Sequence, residues 1–265
     1  MYSRTQLATK YLAYYWRSSN GKGHGMHSPF IFHFITQVLN DKTKYKEYEL
    51  VENLRLKMRQ DNRVLAIRDF GAGSTQTKNN LRSITSIAKN AAKPKKYGQL
   101  LYRMVKTYQP QTILELGTSL GITSSYLASA KKDAVLITME GAEEVAAIAK
   151  QNFQSAGLTN IQIVEGNFDA TLPVVLADAA TVDFVFIDGN HRQQPTEDYF
   201  QQLLSTVNND SILIFDDIHW SAEMEAAWET IKSHPAVRCS VDLFFIGIVF
   251  FRAEFREKQH FTIRF

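Results

Sequence analysis

From residue 111 onward, short apolar runs alternate with amphipathic stretches. Strand-type runs fall at 112–115, 134–140, 161–165, 182–188 and 211–216, and helix-type stretches at 122–131, 143–156, 170–177, 195–207 and 221–233. Such alternation predicts a doubly wound α/β sheet with helices on both faces. The run 182–188 (VDFVFID) is almost wholly apolar, as expected for a strand in the middle of a covered parallel sheet. Gly157 is placed to end the second helix, and Ser221 to cap the last one. Two final β-rich runs, 237–243 and 245–252, are separated by one residue. That gap is too short for a crossover helix, so the last strand is expected to be antiparallel. The prediction is a Rossmann-like sheet of seven strands.

The N-terminal part reads differently. Helix-type segments at 2–16, 29–39, 47–59 and 81–90 are joined by a glycine turn at 21–25 and followed by a basic stretch at 91–96. Pro29 suits the first turn of its helix. These features predict a basic, mainly helical region over 1–96, acting in substrate access or as a lid, and a sheet domain over 97–265.

Two glycine loops follow apolar runs. In Ile113-Leu114-Glu115-Leu116-Gly117-Thr118-Ser119-Leu120-Gly121, a buried strand runs into a tight turn and a small-residue helix. Gly117 permits the turn, and Gly121 permits close approach of the helix. Thr118 and Ser119 are candidate helix caps, and the helix N-terminus favours an anionic group. The rival loop, Asp69-Phe70-Gly71-Ala72-Gly73-Ser74, is followed by basic sequence and no second strand ending in an acid. After Gly121 a complete strand ends at Glu140, 25 positions beyond Glu115. A ribose-binding acid is expected about 20 residues past such a loop. The Gly117–Gly121 loop is therefore the cofactor cradle, and Asp69–Ser74 is a lid, a substrate loop or a plain turn.

Composition narrows the class. With 265 residues, 45% of them hydrophobic, one sizeable core plus an appendage is affordable. The single cysteine, Cys239, excludes an internal disulfide and is expected to be a small core residue. No apolar run reaches about 18 residues, and the N-terminus lacks the h-region of a signal peptide, so a soluble cytoplasmic protein is expected. The net charge of +3 hides a split: residues 1–110 carry 20 Lys and Arg against 6 Asp and Glu, and the rest 10 against 21. Either the halves neutralise each other across an interface, or the basic surface attracts an acidic substrate, nucleic acid or headgroup.

From Tyr97-Gly98-Gln99-Leu100-Leu101 through the Ile113–Gly121 motif to about Arg252, the chain resembles class I S-adenosylmethionine-dependent methyltransferases. Within them it is most similar to the catechol and caffeoyl-CoA type of O-methyltransferase. The resemblance implies that Glu115 and the backbone of Gly117, Thr118, Ser119 and Gly121 hold the methionine end of the donor. It implies that Glu140, followed by Gly141, takes the ribose hydroxyls, that Asn167, Phe168 and Asp169 line the adenine, and that Gly98 and Gln99 approach from the lid side. The segment His24-Gly25-Met26-His27-Ser28-Pro29-Phe30 matches no functional motif of that family.

Three carboxylates, Asp188, Asp216 and Asp217, stand at strand ends, where ligands of open α/β sheets bind. In the resembled enzymes the equivalent positions hold a divalent cation, the last pair there usually being Asp-Asn, and Asp188 borders the donor. Three oxygen donors suit Mg²⁺, Mn²⁺ or Ca²⁺. Alternatively, Asp216 caps a turn and Asp217 is solvated. His191 occupies the offset where the family usually has a lysine base, and histidine can serve as base, metal ligand or surface residue. His219 is a second catalytic candidate. Trp220 is a pocket wall or a core residue, and Arg192 an anion contact or a solvated side chain.

The expected function is O-methylation of a small or medium acceptor, anionic acceptors included. Asn-Pro-Pro-Tyr, frequent in amino-methylating enzymes, is absent. The alternatives are an RNA-binding protein or RNA methyltransferase using the basic half, and a cofactor-binding regulator without turnover. The glycine spacing disfavours a nicotinamide dehydrogenase. The sequence leaves the acceptor and the oligomeric state open, a homodimer included.

Overall fold

The computed structural model describes residues 1–67, 81–90 and 93–265. The Asp69–Ser74 loop lies outside the described residues. In chain order the elements begin with α1 (Arg4–Arg17), α2 (Pro29–His33) continued by a π-helical turn (Phe34–Leu39), and α3 (Lys46–Gln60). Next come β1 (Val64–Ala66), β2 (Leu81–Ser83), α4 (Ile84–Asn90), α5 (Lys95–Tyr108), β3 (Thr112–Leu116), α6 (Ile122–Ala130) and β4 (Val135–Glu140). They are followed by α7 (Glu143–Ser155), β5 (Ile161–Glu165), α8 (Phe168–Asp178), β6 (Phe184–Ile187) and α9 (Gln193–Leu203). The chain closes with β7 (Ile212–Asp216), α10 (Ala222–Ser233), β8 (Cys239–Asp242), β9 (Ile246–Phe250) and β10 (Gln259–Thr262).

Two compact units divide the chain: Met1–Asp41 with Leu176–Phe265, and Lys42–Val175. This differs from the expected division after residue 96, because α1 and α2 group with the C-terminal third. The main sheet has eight strands where seven are expected. Three belong to the Lys42–Val175 unit, in the order β3-β4-β5, and five to the other, in the order β10-β8-β9-β7-β6.

In the Lys42–Val175 unit the three strands are parallel, with Glu115 opposite Thr138 and Glu140 opposite Glu165. A tyrosine-rich cluster of Tyr48, Tyr102 and Tyr126 with Val51 and Ile122 forms part of its core. Each of two phenols there finds a carboxylate, as buried hydroxyls must: Tyr102 Oη donates to Glu47 and Tyr126 Oη to Glu52 at 2.7 Å. Burial followed by these carboxylates pushes both phenol pKa values well up. Residues 81–90 are not one helix as expected: Leu81–Ser83 pairs antiparallel with Val64–Ala66, and helix begins at Ile84. The α7 helix ends as the sequence suggests, with Gly157 at φ 65° and the Leu158 N–H reaching back to the Phe153 carbonyl.

In the other unit β6 and β7 are parallel, and β9 runs antiparallel to both β7 and β8. The antiparallel expectation for the last pair holds, but one more strand, β10, adds parallel to β8 at the edge. Its sequence, Gln-His-Phe-Thr, is short and half polar, which hides it from a hydrophobic pattern. Helix α1 starts at a capping box between Ser3 and Gln6, and Tyr14 Oη donates to the Ile263 carbonyl just past β10. Cys239 is buried in β8, and burial pushes its thiol pKa up, as a core role requires. No helix among the described residues is long and apolar enough to cross a membrane.

Candidate active site

In the Lys42–Val175 unit the turn after β3 is tied to the end of β4. Gly117 and Thr118 N–H both donate to the Met139 carbonyl at 3.0 Å, and Ser119 N–H donates to Glu140 Oε2 at 2.8 Å. The other Glu140 oxygen accepts from Ala142 N–H at 3.0 Å, so one carboxylate joins two successive strand-end turns. Gly117 at φ 109° and Gly121 at φ 76° occupy conformations that favour glycine. A Cβ on Gly121 would also lie 2.5 Å from the Phe153 ring, so this glycine sets how closely α6 approaches α7.

The expected helix caps are corrected. The residue at the N-cap of α6 is Gly121, without a side-chain cap. Thr118 is buried and bonds Thr138 Oγ1 at 2.6 Å, and Ser119 stands at φ 48°. Helix begins only at Ile122, two residues too late for Ser119 and three too late for Thr118 to serve as its N-cap. Glu115 is 0% exposed. Its Oε2 accepts from Thr138 Oγ1 at 2.6 Å and from Ser124 Oγ. Because a carboxylate can only accept, Thr138 points its proton at Glu115 and takes one from Thr118. Glu115 thus braces the turn from beneath. Thr138 and Ser124 escaped the sequence reading, since only the β3–β4 register sets Thr138 opposite Glu115.

After β5, Gly166 at φ 132° donates its N–H to the Glu140 carbonyl, and Asn167 turns the chain into α8. The Asn167 side-chain oxygen accepts Asp169 N–H at 3.1 Å. Phe168 is half-buried, while Asn167 and Asp169 are exposed. Gly141, half-buried, links Glu140 to Ala142. Gly98, expected on the lid side, packs against α6. It is buried in α5, and a Cβ there would lie 2.5 Å from the Tyr126 ring. Gln99 is half-buried beside it, with its carbonyl 3.5 Å from Tyr48 Oη.

In the other unit the strand-end acids form a compact group. Asp188, His191 and Asp216 each present one ligand atom, all within 4.8 Å of one another. His191 Nε2 lies 3.4 Å from Asp188 Oδ1; Asp216 is buried and the other two half-buried. Two carboxylates and an imidazole fit a divalent cation, and the nitrogen donor favours Mn²⁺ over Mg²⁺ or Ca²⁺. Among the described residues Asp217 is not part of this group. It sits at φ 53°, its N–H donating to the Phe245 carbonyl at 2.7 Å. That left-handed position accepts Asp or Asn alike, so the Asp-Asp pair is accounted for by backbone geometry.

His219 is not built as a base. Its Nδ1 lies 2.9 Å from Glu225 Oε1 and its Nε2 2.9 Å from Asp242 Oδ2. Burial alone would lower its pKa, but Asp242 and then Glu225 outweigh that and raise it. Both ring nitrogens are thus engaged by carboxylates and not turned to a substrate proton. Glu225 also accepts from Tyr2 Oη at 2.7 Å and pairs with Lys10 at 2.9 Å, so α1 and α10 meet around it. Trp220 is half-buried, its carbonyl taking the Tyr2 N–H. Arg192 is exposed at the N-cap of α9, its Nε donating to Asn190 Oδ1 at 2.9 Å.

Residues 114–218 match a family described as a methyltransferase domain. Over 124 residues the chain is 33% identical to a catechol O-methyltransferase of Niastella koreensis, covering 46% of this chain and 55% of that protein. The chain spans about half the length of the curated relatives it matches. Among solved structures, the SAH-bound methyltransferase of Podospora anserina superposes with a TM-score of 0.59 at 13% identity, covering 95% of this chain and 98% of that one. An O-methyltransferase from Bacillus cereus in complex with SAH gives a TM-score of 0.56 at 19% identity, covering 83% and 97%. The strand-end turn braced by Glu140 lies inside the segment 114–218 that matches a methyltransferase-domain family, in a chain with the class I methyltransferase fold.

Proposed function

We propose that this chain transfers a methyl group from S-adenosylmethionine to an oxygen of a small or medium acceptor. The observation that carries this reading is the single Glu140 carboxylate joining the turns after β3 and β4. It leaves an acid at the position suited to ribose hydroxyls, beside a helix N-terminus suited to a carboxylate. In this reading the turn 117–121 and the first turn of α6 hold the methionine end, with Glu115 bracing the turn below. Glu140 and Gly141 take the ribose, and Asn167, Phe168 and Asp169 border the adenine. Gln99 approaches from α5. The O-methyltransferase names of the relatives favour oxygen as the acceptor atom.

Asp188, His191 and Asp216 would hold a divalent cation. A cation there would lower the pKa of an acceptor hydroxyl and orient it. His191 either completes that site or takes the acceptor proton. The roles separate experimentally, because His191→Ala abolishes Mn²⁺ binding only if the imidazole is a ligand. Arg192 would meet an anionic acceptor. Calorimetry with S-adenosylmethionine tests the donor assignment: binding by the native protein and loss in Glu140→Ala are expected. No binding by the native protein, or equal binding by both, overturns it.

A further inference from the structure

The Met1–Asp41 and Leu176–Phe265 unit contains a cavity of about 910 Å³ between the segment 25–33 and the C-terminal residues 252–261. Its volume is that of a small-molecule site. It lies along the edge strand β10, which β8 and β9 separate from β7. Three strand spacings amount to about 14 Å across the sheet. The cavity is therefore distinct from the Asp188–His191–Asp216 group. It is lined by Gly25 to Phe30, part of the segment for which the family resemblance offers no role.

Its chemistry is one-sided. Three histidines, His27, His33 and His260, line it together with Arg252, against one carboxylate, Glu254. That carboxylate is already matched: Arg252 Nε donates to it at 3.0 Å, while Nη1 pairs with Asp210 at 2.7 Å. None of the three histidines has a carboxylate partner among the described ion pairs. His260 bonds Ser240 Oγ through Nδ1 at 2.7 Å, which leaves Nε2 as its other hydrogen-bonding atom. Burial, then the charges of Lys232 and Lys258, lower the His260 pKa against an opposing contribution from Glu229. The lining also holds three aromatic rings, Phe30, Phe255 and Phe261. The Arg252 guanidinium lies 5.0 Å from the Phe30 ring centroid, and Phe30 meets Phe255 edge to face at 5.6 Å.

We propose that this cavity is a second, non-catalytic binding site for a small aromatic anion, a ring bearing a carboxylate or a phosphate. The ring would lie against Phe30 and Phe261, and the anionic group would take N–H donors from His27, His33 and His260. The proposal does not depend on the methyl-transfer reading, since no residue is shared.

Histidine-selective two-dimensional NMR tests it, because the chain has only 7 histidines. Benzoate and phenyl phosphate are the two anionic arms, with benzyl alcohol and inorganic phosphate as controls. The expected result is saturable shifts of His27, His33 and His260 with at least one anionic arm, and unmoved His191 and His219 signals. The double variant His27→Gln, His33→Gln, both exposed positions, should weaken that arm by about tenfold or more while the circular dichroism stays native. No shift at millimolar benzoate or phenyl phosphate overturns the proposal, as does undiminished affinity in the double variant. Equal binding of benzyl alcohol overturns its anionic part, and equal binding of inorganic phosphate its aromatic part.

Discussion

The Ser119 N–H donates to Glu140 Oε2 at 2.8 Å, so a backbone group of one strand-end turn is held by the side chain of the next. Hydrogen bonds to charged groups contribute about 1.5–3 kcal/mol each. Glu140→Ala should therefore speed hydrogen exchange at Ser119 and Ala142, whereas Glu140→Gln, which keeps an acceptor oxygen, should protect one of them. Exchange followed by mass spectrometry checks this without any ligand. Unchanged exchange in Glu140→Ala would show that the turn is held by the Met139 carbonyl alone.

His219 between Asp242 and Glu225 makes stability depend on pH. Its folded pKa is raised, so the protonated ring stabilises the fold. That contribution is complete below the unfolded value of about 6.5 and is lost as pH rises through the folded value. Glu225 is held below its ordinary value, because its bonds to Tyr2, Lys10 and His219 outweigh burial. Its contribution is lost only as pH falls through that lowered value. The Tm difference between native protein and His219→Gln should be largest near pH 6 and shrink toward alkaline pH. A difference independent of pH would mean that the ring acts by packing on Phe244, 5.0 Å away, and not by charge.

Gly98 and Tyr126 set the spacing of α5 against α6. Gly98→Ala places a methyl group against a fully buried ring, and overpacking of this kind costs about 1–3 kcal/mol. Urea denaturation should show that loss. Tyr126→Leu, by making room, should reduce the further cost of Gly98→Ala by at least about 0.5 kcal/mol in a double-mutant cycle.

Asp216 and Asp217 are neighbours in sequence with different surroundings. Asp216→Asn should weaken Mn²⁺ binding by about tenfold or more, as read by electron paramagnetic resonance, since it removes a ligand charge. Asp217→Asn should leave Mn²⁺ affinity within about twofold, because asparagine suits the left-handed turn at φ 53°. Equal loss in both variants would return Asp217 to the cation site.

The period of apolar residues was enough to read the alternation of β3 to β7 with α6 to α10, because each buried element there spans a full run of side chains facing a core. The strand ends were equally legible within each unit, at Gly117 and Glu140 in one and at Asp188 and Asp216 in the other, since neighbouring parallel strands end on the same side. Four matters were decided only by tertiary structure. Edge strand β10 is held by pairing with β8 and needs no apolar pattern of its own. Glu115 turned inward because the register sets Thr138 opposite it. His219 lost its candidacy as a base to Glu225 and Asp242, 6 and 23 residues away in sequence. Gly98 owed its place to a tyrosine on the next helix. In each case a deciding partner lies 20 or more residues away along the chain, so local pattern holds no trace of it, and only the packed fold brings the two together.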